Sequence, residues 1–147
     1  MGRAVIDAGS TVALDTMCFI YLFEAHPEFL PLVRPIFARV EGGDLVAVAS
    51  TLALTETLAG PLRHGEVALA KRYRQVFRDF PNLRLVPVDE PVAVGAATLR
   101  ARHGLRTPDA IHLASARHAG AEVFLTGDAR LVDVAEVPVR LLGGKVG

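Results

Sequence analysis

Four acidic side chains occupy positions where strands are expected to end or helices to begin. Asp15 follows the apolar run "STVAL", Asp128 follows "EVFLTG", Glu56 lies within "TLALTETLAG", and Asp109 lies within "LRTPDAIHLASA". Each has a structural explanation on its own, because aspartate favours turns and a carboxylate in the first turn of a helix gains about 0.3 to 1 kcal/mol from the helix dipole. Brought together, however, the four would repel one another unless a cation neutralised them. Carboxylates favour Mg²⁺ or Mn²⁺, and such a site indicates phosphodiester hydrolysis.

The surrounding pattern predicts the elements that must position these acids. Apolar and β-branched runs predict four strands and a short edge strand, at 10–15, 44–50, 83–89, 122–128 and 140–142. Amphipathic stretches predict the intervening helices, at 16–24, 30–43, 51–60, 66–79, 91–103 and from 108 onward. Thr16, Ser50 and Thr107 are predicted to cap three of these helices, and Gly104 to end one. Alternating strands and helices predict an α/β fold with a parallel sheet covered on both faces. In such sheets ligands bind beyond the carboxyl ends of the strands, where the four acids are expected.

Composition restricts the class of protein. The chain has 147 residues, of which 51% are hydrophobic and 22% charged, with a net charge of zero, so we expect a single globular domain over 1–147. With no apolar run of transmembrane length and no secretory pattern at its start, the expected location is the cytoplasm, with no membrane contact. The lone cysteine, Cys18, excludes an internal disulfide and a thiolate-rich metal site. Two basic runs, at 71–78 and 100–106, are typical of solvated helix faces.

Other chemistries lack their motifs. The sequence has no Gly-x-Ser-x-Gly elbow, no glycine-rich phosphate loop with lysine, and no histidine pair at zinc-ligand spacing. A phosphatase of similar architecture would need paired acids at the first strand, whereas Asp15 is followed by Thr16 and Met17. His112, three residues after Asp109, has two interpretations: it contacts substrate or metal, or it is a packed, hydrogen-bonded side chain.

Four segments together resemble a known family. "VALDTMCFIYLFE", "TLALTETLAG", "LRTPDAIHLASA" and "FLTGDARL" are similar in order and spacing to PIN-domain ribonucleases, especially the VapC-like toxins of bacterial toxin–antitoxin pairs. The similarity extends from about Val12 to Leu142. It implies a three-layer α/β/α sandwich with a mainly parallel sheet of four to five strands. It also implies that the four acids hold one or two Mg²⁺ or Mn²⁺ ions for RNA cleavage, that Thr126 supports the site by hydrogen bonding, and that Asp133 is a reserve acid.

The resemblance also predicts partners, and it has one departure. Family members often carry a small polar residue where this chain has Met17, so polar support from that position is in question. The first ten residues extend beyond the usual start of the family. A cognate antitoxin and a second copy of the chain are the expected protein partners, through a groove between the predicted helices 16–24, 51–60 and 66–79. The alternative is a non-catalytic PIN-like module that binds RNA or a partner protein.

Overall fold

The computed structural model describes residues 6–144, so the first five residues of the predicted N-terminal extension lie outside the described part. Of the remaining extension, Ile6 packs against the core and the Gly9 N–H donates to the Asp44 carbonyl at 2.8 Å. The elements are, in chain order, β1 (Thr11–Leu14), α1 (Thr16–Phe23), α2 (Leu30–Glu41), β2 (Val46–Ser50), α3 (Leu52–Arg63), α4 (Val67–Asp79), β3 (Leu83–Val86), α5 (Glu90–His103), α6 (Thr107–His118), β4 (Val123–Thr126) and β5 (Val139–Leu141). A short 3₁₀ helix, Ala129–Leu131, follows β4.

The five strands form one parallel sheet in the order β3-β2-β1-β4-β5. Chain order therefore runs outward from β1 in both directions, first through β2 and β3 and then through β4 and β5. The direction of winding reverses between β1 and β4, which is where sheets of this type bind ligands beyond the carboxyl ends of the strands. The parallel α/β sheet predicted from the sequence is confirmed.

The helices cover both faces of the sheet. Along β1, Val12 and Leu14 face a core shared with α1 to α4, whereas Ala13 faces a second core shared with α5 and α6. This alternation follows from the two-residue period of a strand. The three-layer arrangement is thus four helices, a sheet and two helices. Within residues 6–144, no helix is long and apolar enough to cross a membrane.

One predicted helix boundary is wrong. The third helix was expected to end at Gly60-Pro61, but α3 continues to Arg63. Pro61 lacks an N–H and so removes one helical hydrogen bond, a loss that is tolerated this close to the end of the helix. Likewise Pro35 lies inside α2. By contrast, Gly104 ends α5 as predicted, because its φ of 66° is a left-handed conformation that favours glycine.

Of the three predicted caps, one is confirmed. The Leu52 N–H donates to Ser50 Oγ at 3.1 Å at the start of α3. Thr16 and Thr107 are instead the first residues of α1 and α6, and neither helix has a side-chain cap. The Thr16 hydroxyl is used elsewhere, in the candidate site.

The apolar side chains of α1, α3 and α4 largely pack among the first four helices. The Phe19 ring lies 4.5 Å from Phe77 between centroids, and Phe23 stacks on Tyr73 at 4.4 Å. Leu62 and Val67, at the turn between α3 and α4, remain exposed. The predicted partner groove therefore has fewer free apolar side chains than the sequence indicated.

Candidate functional site

The switch point between β1 and β4 places Asp15 beside Thr126. Leu14 lies opposite Leu125 in the parallel ladder, so the residues that follow them meet at the same edge. The Thr126 hydroxyl, which is fully buried, donates to Asp15 Oδ2 at 2.6 Å and accepts the Asp128 N–H at 3.0 Å. One hydroxyl thus fixes the Asp15 carboxylate and the turn that carries Asp128.

Glu56 is held by the two helical layers at once. Its Oε1 atom lies 2.6 Å from Thr16 Oγ1 on α1 and 2.6 Å from His112 Nε2 on α6. Thr16 and His112 are both buried, with about 5% of each exposed. The hydrogen bond from His112 lowers the pKa of Glu56 most, burial opposes it, and the Thr16 hydrogen bond adds to the lowering. The hydrogen bonds from His112 and Thr16 keep the Glu56 carboxylate ionised and fix one of its oxygens.

The hydrogen-bond network assigns the tautomer of His112. An ionised carboxylate only accepts, so the contact of His112 Nε2 with Glu56 requires the proton to be on Nε2. Nδ1 is buried and has no hydrogen-bond partner among the described residues. His112 therefore acts through Nε2 alone, and of the two interpretations of this histidine the structure shows the hydrogen-bonded one.

Two arginines neutralise the other two acids. Arg106 Nε lies 3.1 Å from Asp109 Oδ2, and Arg130 contacts Asp128 through both Nε (3.0 Å) and Nη2 (2.5 Å). Asp128 also accepts the backbone N–H of Arg130 at 2.9 Å. The side-chain hydrogen bond from Arg130 is the main reason why the pKa of Asp128 is lowered. Both arginine side chains are 67% exposed, so their pairs lie at the surface of the site.

All four predicted acids line one open cleft of about 520 Å³ at this edge of the sheet. Met17, Tyr21, Arg106, His112 and Arg130 line it as well. Thr126 lies beneath the cleft and supports it by hydrogen bonding, as the resemblance implied. Asp133 is exposed in the turn beyond the 3₁₀ segment and does not line the cleft.

Met17 contributes an apolar side chain to the cleft. Its thioether side chain lines the cleft and is 38% exposed, so it supplies no oxygen there. Polar support comes instead from the buried Thr16 and Thr126 hydroxyls, each donating to one acid.

The donor chemistry of the cleft fits a hard divalent cation. Within the described residues, Asp15 Oδ1 and Glu56 Oε2 accept no hydrogen bond, whereas Asp109 and Asp128 are paired with guanidinium groups. Asp109 Oδ1 likewise accepts no hydrogen bond within residues 6–144, so of the four acids only Asp128 has both oxygens engaged by an arginine. In their observed conformations, no three acidic, histidine or cysteine side chains of residues 6–144 are close enough to share one ion. The set fits Mg²⁺ in kind, and sharing an ion requires the acidic side chains to move closer together.

Sequence reasoning did not assign Arg106 and Arg130 to the site. Arg106 belongs to a basic run that is typical of solvated surface, and no motif or basic run in the sequence includes Arg130. Their spacing from the acids was the available signal: Arg106 precedes Asp109 by three residues at a helix start, and Arg130 follows Asp128 by two in a turn. Both spacings permit a local ion pair.

The chain is similar to proteins of one family in sequence and in fold. The family model of the PIN domain matches residues 12–137. No curated protein sequence is significantly similar to that of the chain. A chain of the VapBC2 complex from Rickettsia felis, solved with a fragment of promoter DNA, superposes with a TM-score of 0.70 at 13% identity, covering 90% of this chain and 98% of that one.

Two further structures are similar. A toxin–antitoxin complex from Klebsiella pneumoniae gives a TM-score of 0.66 at 19% identity, with 86% of this chain and 94% of that one covered. VapC20 of Mycobacterium tuberculosis, a toxin that cleaves the sarcin-ricin loop, gives 0.65 at 19% identity, with 84% and 92% covered. At these identities the superpositions show a shared fold. Since the family model covers most of its length, the chain belongs to the PIN domain family.

Proposed function

We propose that the protein is a Mg²⁺- or Mn²⁺-dependent endoribonuclease and the toxin of a toxin–antitoxin pair. One observation carries the proposal: acids from four separate segments line a single cleft at the switch point of a PIN domain. A structural role explains each acid alone, but it does not explain why all four meet at the edge where sheets of this kind bind ligands.

The charge of the cleft supports the need for a divalent ion. Four carboxylates and two guanidinium groups, Arg106 and Arg130, give it a formal charge of −2, which repels a phosphodiester. One divalent cation neutralises that charge. When bound, such an ion polarises the phosphate and lowers the pKa of a water molecule that attacks phosphorus.

The residues of the chain would divide the work. Asp15 and Glu56 each have one oxygen fixed by a buried hydroxyl and one that accepts no hydrogen bond within residues 6–144, so the second oxygen is available to an ion. Asp109 would complete the ligand set through Oδ1, which accepts no hydrogen bond within residues 6–144, and Asp128 would do so after giving up part of its pair with Arg130. Thr16, His112 and Thr126 are positioning residues, because they contact the acids rather than the cleft ion.

The substrate class and the partner rest on the family. Similar structures include a toxin described as cleaving the sarcin-ricin loop and several toxin–antitoxin complexes. We infer from them that RNA is the substrate of this chain and that an antitoxin protein is its partner. A homodimer and a cytoplasmic location remain predictions from the resemblance and the sequence.

The alternative function is a non-catalytic PIN-like module that binds RNA or protein. One observation favours it: no three metal-binding groups of the described residues converge as the side chains stand. The presence of all four acids favours the nuclease.

The deciding experiment is RNA cleavage by the purified protein with Mg²⁺ or Mn²⁺ and with excess chelator. We expect cleavage only with the metal, and its loss in Asp15→Asn and Asp128→Asn. Asp44→Asn is the matched control, because Asp44 also pairs with an arginine, the half-buried Arg39, but lies outside the cleft. Undiminished cleavage in chelator, or in Asp15→Asn, would refute the proposal. RNA binding without cleavage would establish the alternative.

The toxin assignment has a separate test. We expect a small protein encoded beside this chain to co-purify with it and to suppress the cleavage. If every adjacent small protein fails to bind, the nuclease proposal stands but the toxin assignment does not.

A further inference from the structure

Arg106 and Arg130 both line the acid cleft, and each uses only part of its hydrogen-bonding capacity. A guanidinium group has five N–H donors. Arg106 uses one of them, Nε, on Asp109, and Arg130 uses Nε and Nη2 on Asp128. Both side chains are 67% exposed at the mouth of the cleft. Each arginine therefore has donors directed away from its acid that nothing else in the described residues engages.

The field of both arginines extends over the cleft. Arg106 lowers the pKa of Glu56 and of Asp128 through space, in addition to its direct bond to Asp109. Arg130 likewise interacts with Asp109 across the cleft. The two guanidinium groups line the same cleft as the four acids.

An ion shared by the acids would change what the arginines contact. Arg130 engages both oxygens of Asp128, so an ion bound by Asp128 would displace at least one of those hydrogen bonds; Arg106 has a single hydrogen bond to Asp109, at Oδ2, and leaves Oδ1 to an ion. Each arginine that gives up its acid then lies exposed beside a neutralised cleft, and a guanidinium group forms strong bidentate hydrogen bonds with phosphate.

We propose that Arg106 and Arg130 bind phosphates of RNA at the mouth of the cleft, and that their pairs with Asp109 and Asp128 are the contacts they exchange for those phosphates. The assignment rests on the proposed nuclease function. It makes the arginines substrate-binding residues and not a support for the acids.

The two roles give opposite results when the arginine is removed. If the arginines only orient the carboxylates, Arg106→Gln and Arg130→Gln weaken Mn²⁺ binding and leave RNA affinity unchanged. If they compete with the ion and bind phosphate, Mn²⁺ binding stays equal or tightens, whereas RNA binding weakens. Loss of a charge-assisted phosphate contact should raise the RNA Kd about tenfold. Each lost contact should also reduce the salt slope of binding to single-stranded RNA by about 0.7.

The test measures metal and RNA separately on the full chain. Mn²⁺ affinity is measured by calorimetry on the single variants without RNA. RNA affinity is measured by fluorescence anisotropy at several salt concentrations in a Glu56→Gln background that prevents cleavage. Because Glu56→Gln also removes a proposed metal ligand, the Mn²⁺ concentration is one that calorimetry shows to saturate each of these double variants. Arg102→Gln is the matched control, since Arg102 is an exposed arginine paired with an acid, Glu136, outside the cleft. Circular dichroism confirms that each variant is folded.

The expected result is a tenfold weaker RNA complex with a smaller salt slope for both cleft variants, no change for the control, and Mn²⁺ binding that is not weakened. Arg106→Lys should recover the salt slope, because it restores the charge. Unchanged RNA affinity, or Mn²⁺ binding that weakens in the cleft variants, would overturn the proposal. If the unmodified chain binds no Mn²⁺ and cleaves no RNA, the proposed function fails; if it does both and the cleft variants match the control, only the arginine assignment fails.

Discussion

Thr16→Val separates the role of the Thr16 hydroxyl from its contribution to packing. Valine has nearly the same shape as threonine, so the substitution keeps the packing and removes the hydroxyl that lies 2.6 Å from Glu56 Oε1 and 3.1 Å from His112 Nε2. A hydrogen bond to a charged group stabilises a protein by about 1.5 to 3 kcal/mol. Because the Glu56 side chain is 32% exposed, water replaces part of the lost bond. We expect the free energy of unfolding at pH 7 to fall by about 1 to 1.5 kcal/mol.

The pH dependence of this loss is the diagnostic feature. The pKa of Glu56 in the folded protein is below its ordinary value of 4.5, through its bonds with His112 and Thr16. A carboxylate with a lowered folded pKa stabilises the protein above its unfolded pKa, and this stability is lost as the pH falls through the folded pKa. The difference between the unmodified protein and Thr16→Val should therefore be full at pH 7 and shrink below the ordinary glutamate value.

Urea unfolding at pH 7 and below pH 4.5 measures the effect, with Thr16→Ser as the control. Serine keeps the hydroxyl and loses one buried methyl group, so its cost, about 0.8 kcal/mol or more, should not change with pH. A Thr16→Val deficit that is the same at both pH values would refute the hydrogen-bond account. So would a deficit in Thr16→Ser that follows the same pH curve.

Three further outcomes follow from the site and the core. Asp109→Asn should lower the free energy of unfolding by at most about 1 kcal/mol, because the pair of Asp109 with Arg106 is at the surface. Calorimetry should show a large loss of Mn²⁺ affinity in this variant. Near-wild-type cleavage at limiting Mg²⁺ would show that Asp109 is only a helix-start residue. Thr126→Val should destabilise the protein by about 1 to 3 kcal/mol, since it removes the donor to Asp15 and the acceptor of a backbone N–H, and Thr126→Ser should recover most of that loss in urea unfolding. Burial raises the pKa of the Cys18 thiol, so a thiol reagent should react only as fast as the protein opens; rapid modification in native buffer would contradict its burial.

The sequence was sufficient for the elements and their order because their signals are local. Apolar runs and helical periods depend on neighbours in the chain, and the strands at β1, β2 and β4 were predicted within a few residues of where they lie. The end of α3 was missed at Gly60-Pro61, because packing of the helix against α4 and the sheet outweighs the weak local preference of these residues.

The predicted caps of α1 and α6 failed for a related reason. The local sequence around a threonine that precedes an apolar helix is the same whether its hydroxyl binds the helix backbone or a distant acid. Thr16 was predicted to cap α1, yet its hydroxyl binds Glu56, forty residues away in sequence. The sequence contains no signal for that choice, since it depends on where α3 lies relative to α1.

The sequence by itself determined the acids, the strand ends on which they depend, and the family. It identified Asp15, Glu56, Asp109 and Asp128 because each stands at a fixed offset from a strand or helix boundary, and local pattern specifies such boundaries. Only the tertiary structure decided which groups hold them. His112 reaches Glu56 from the opposite helical layer, and hydrogen bonds of this kind extend no more than about 3 Å. A contact of that range between residues far apart in the chain exists only after the fold has brought α3 and α6 together at one edge of the sheet.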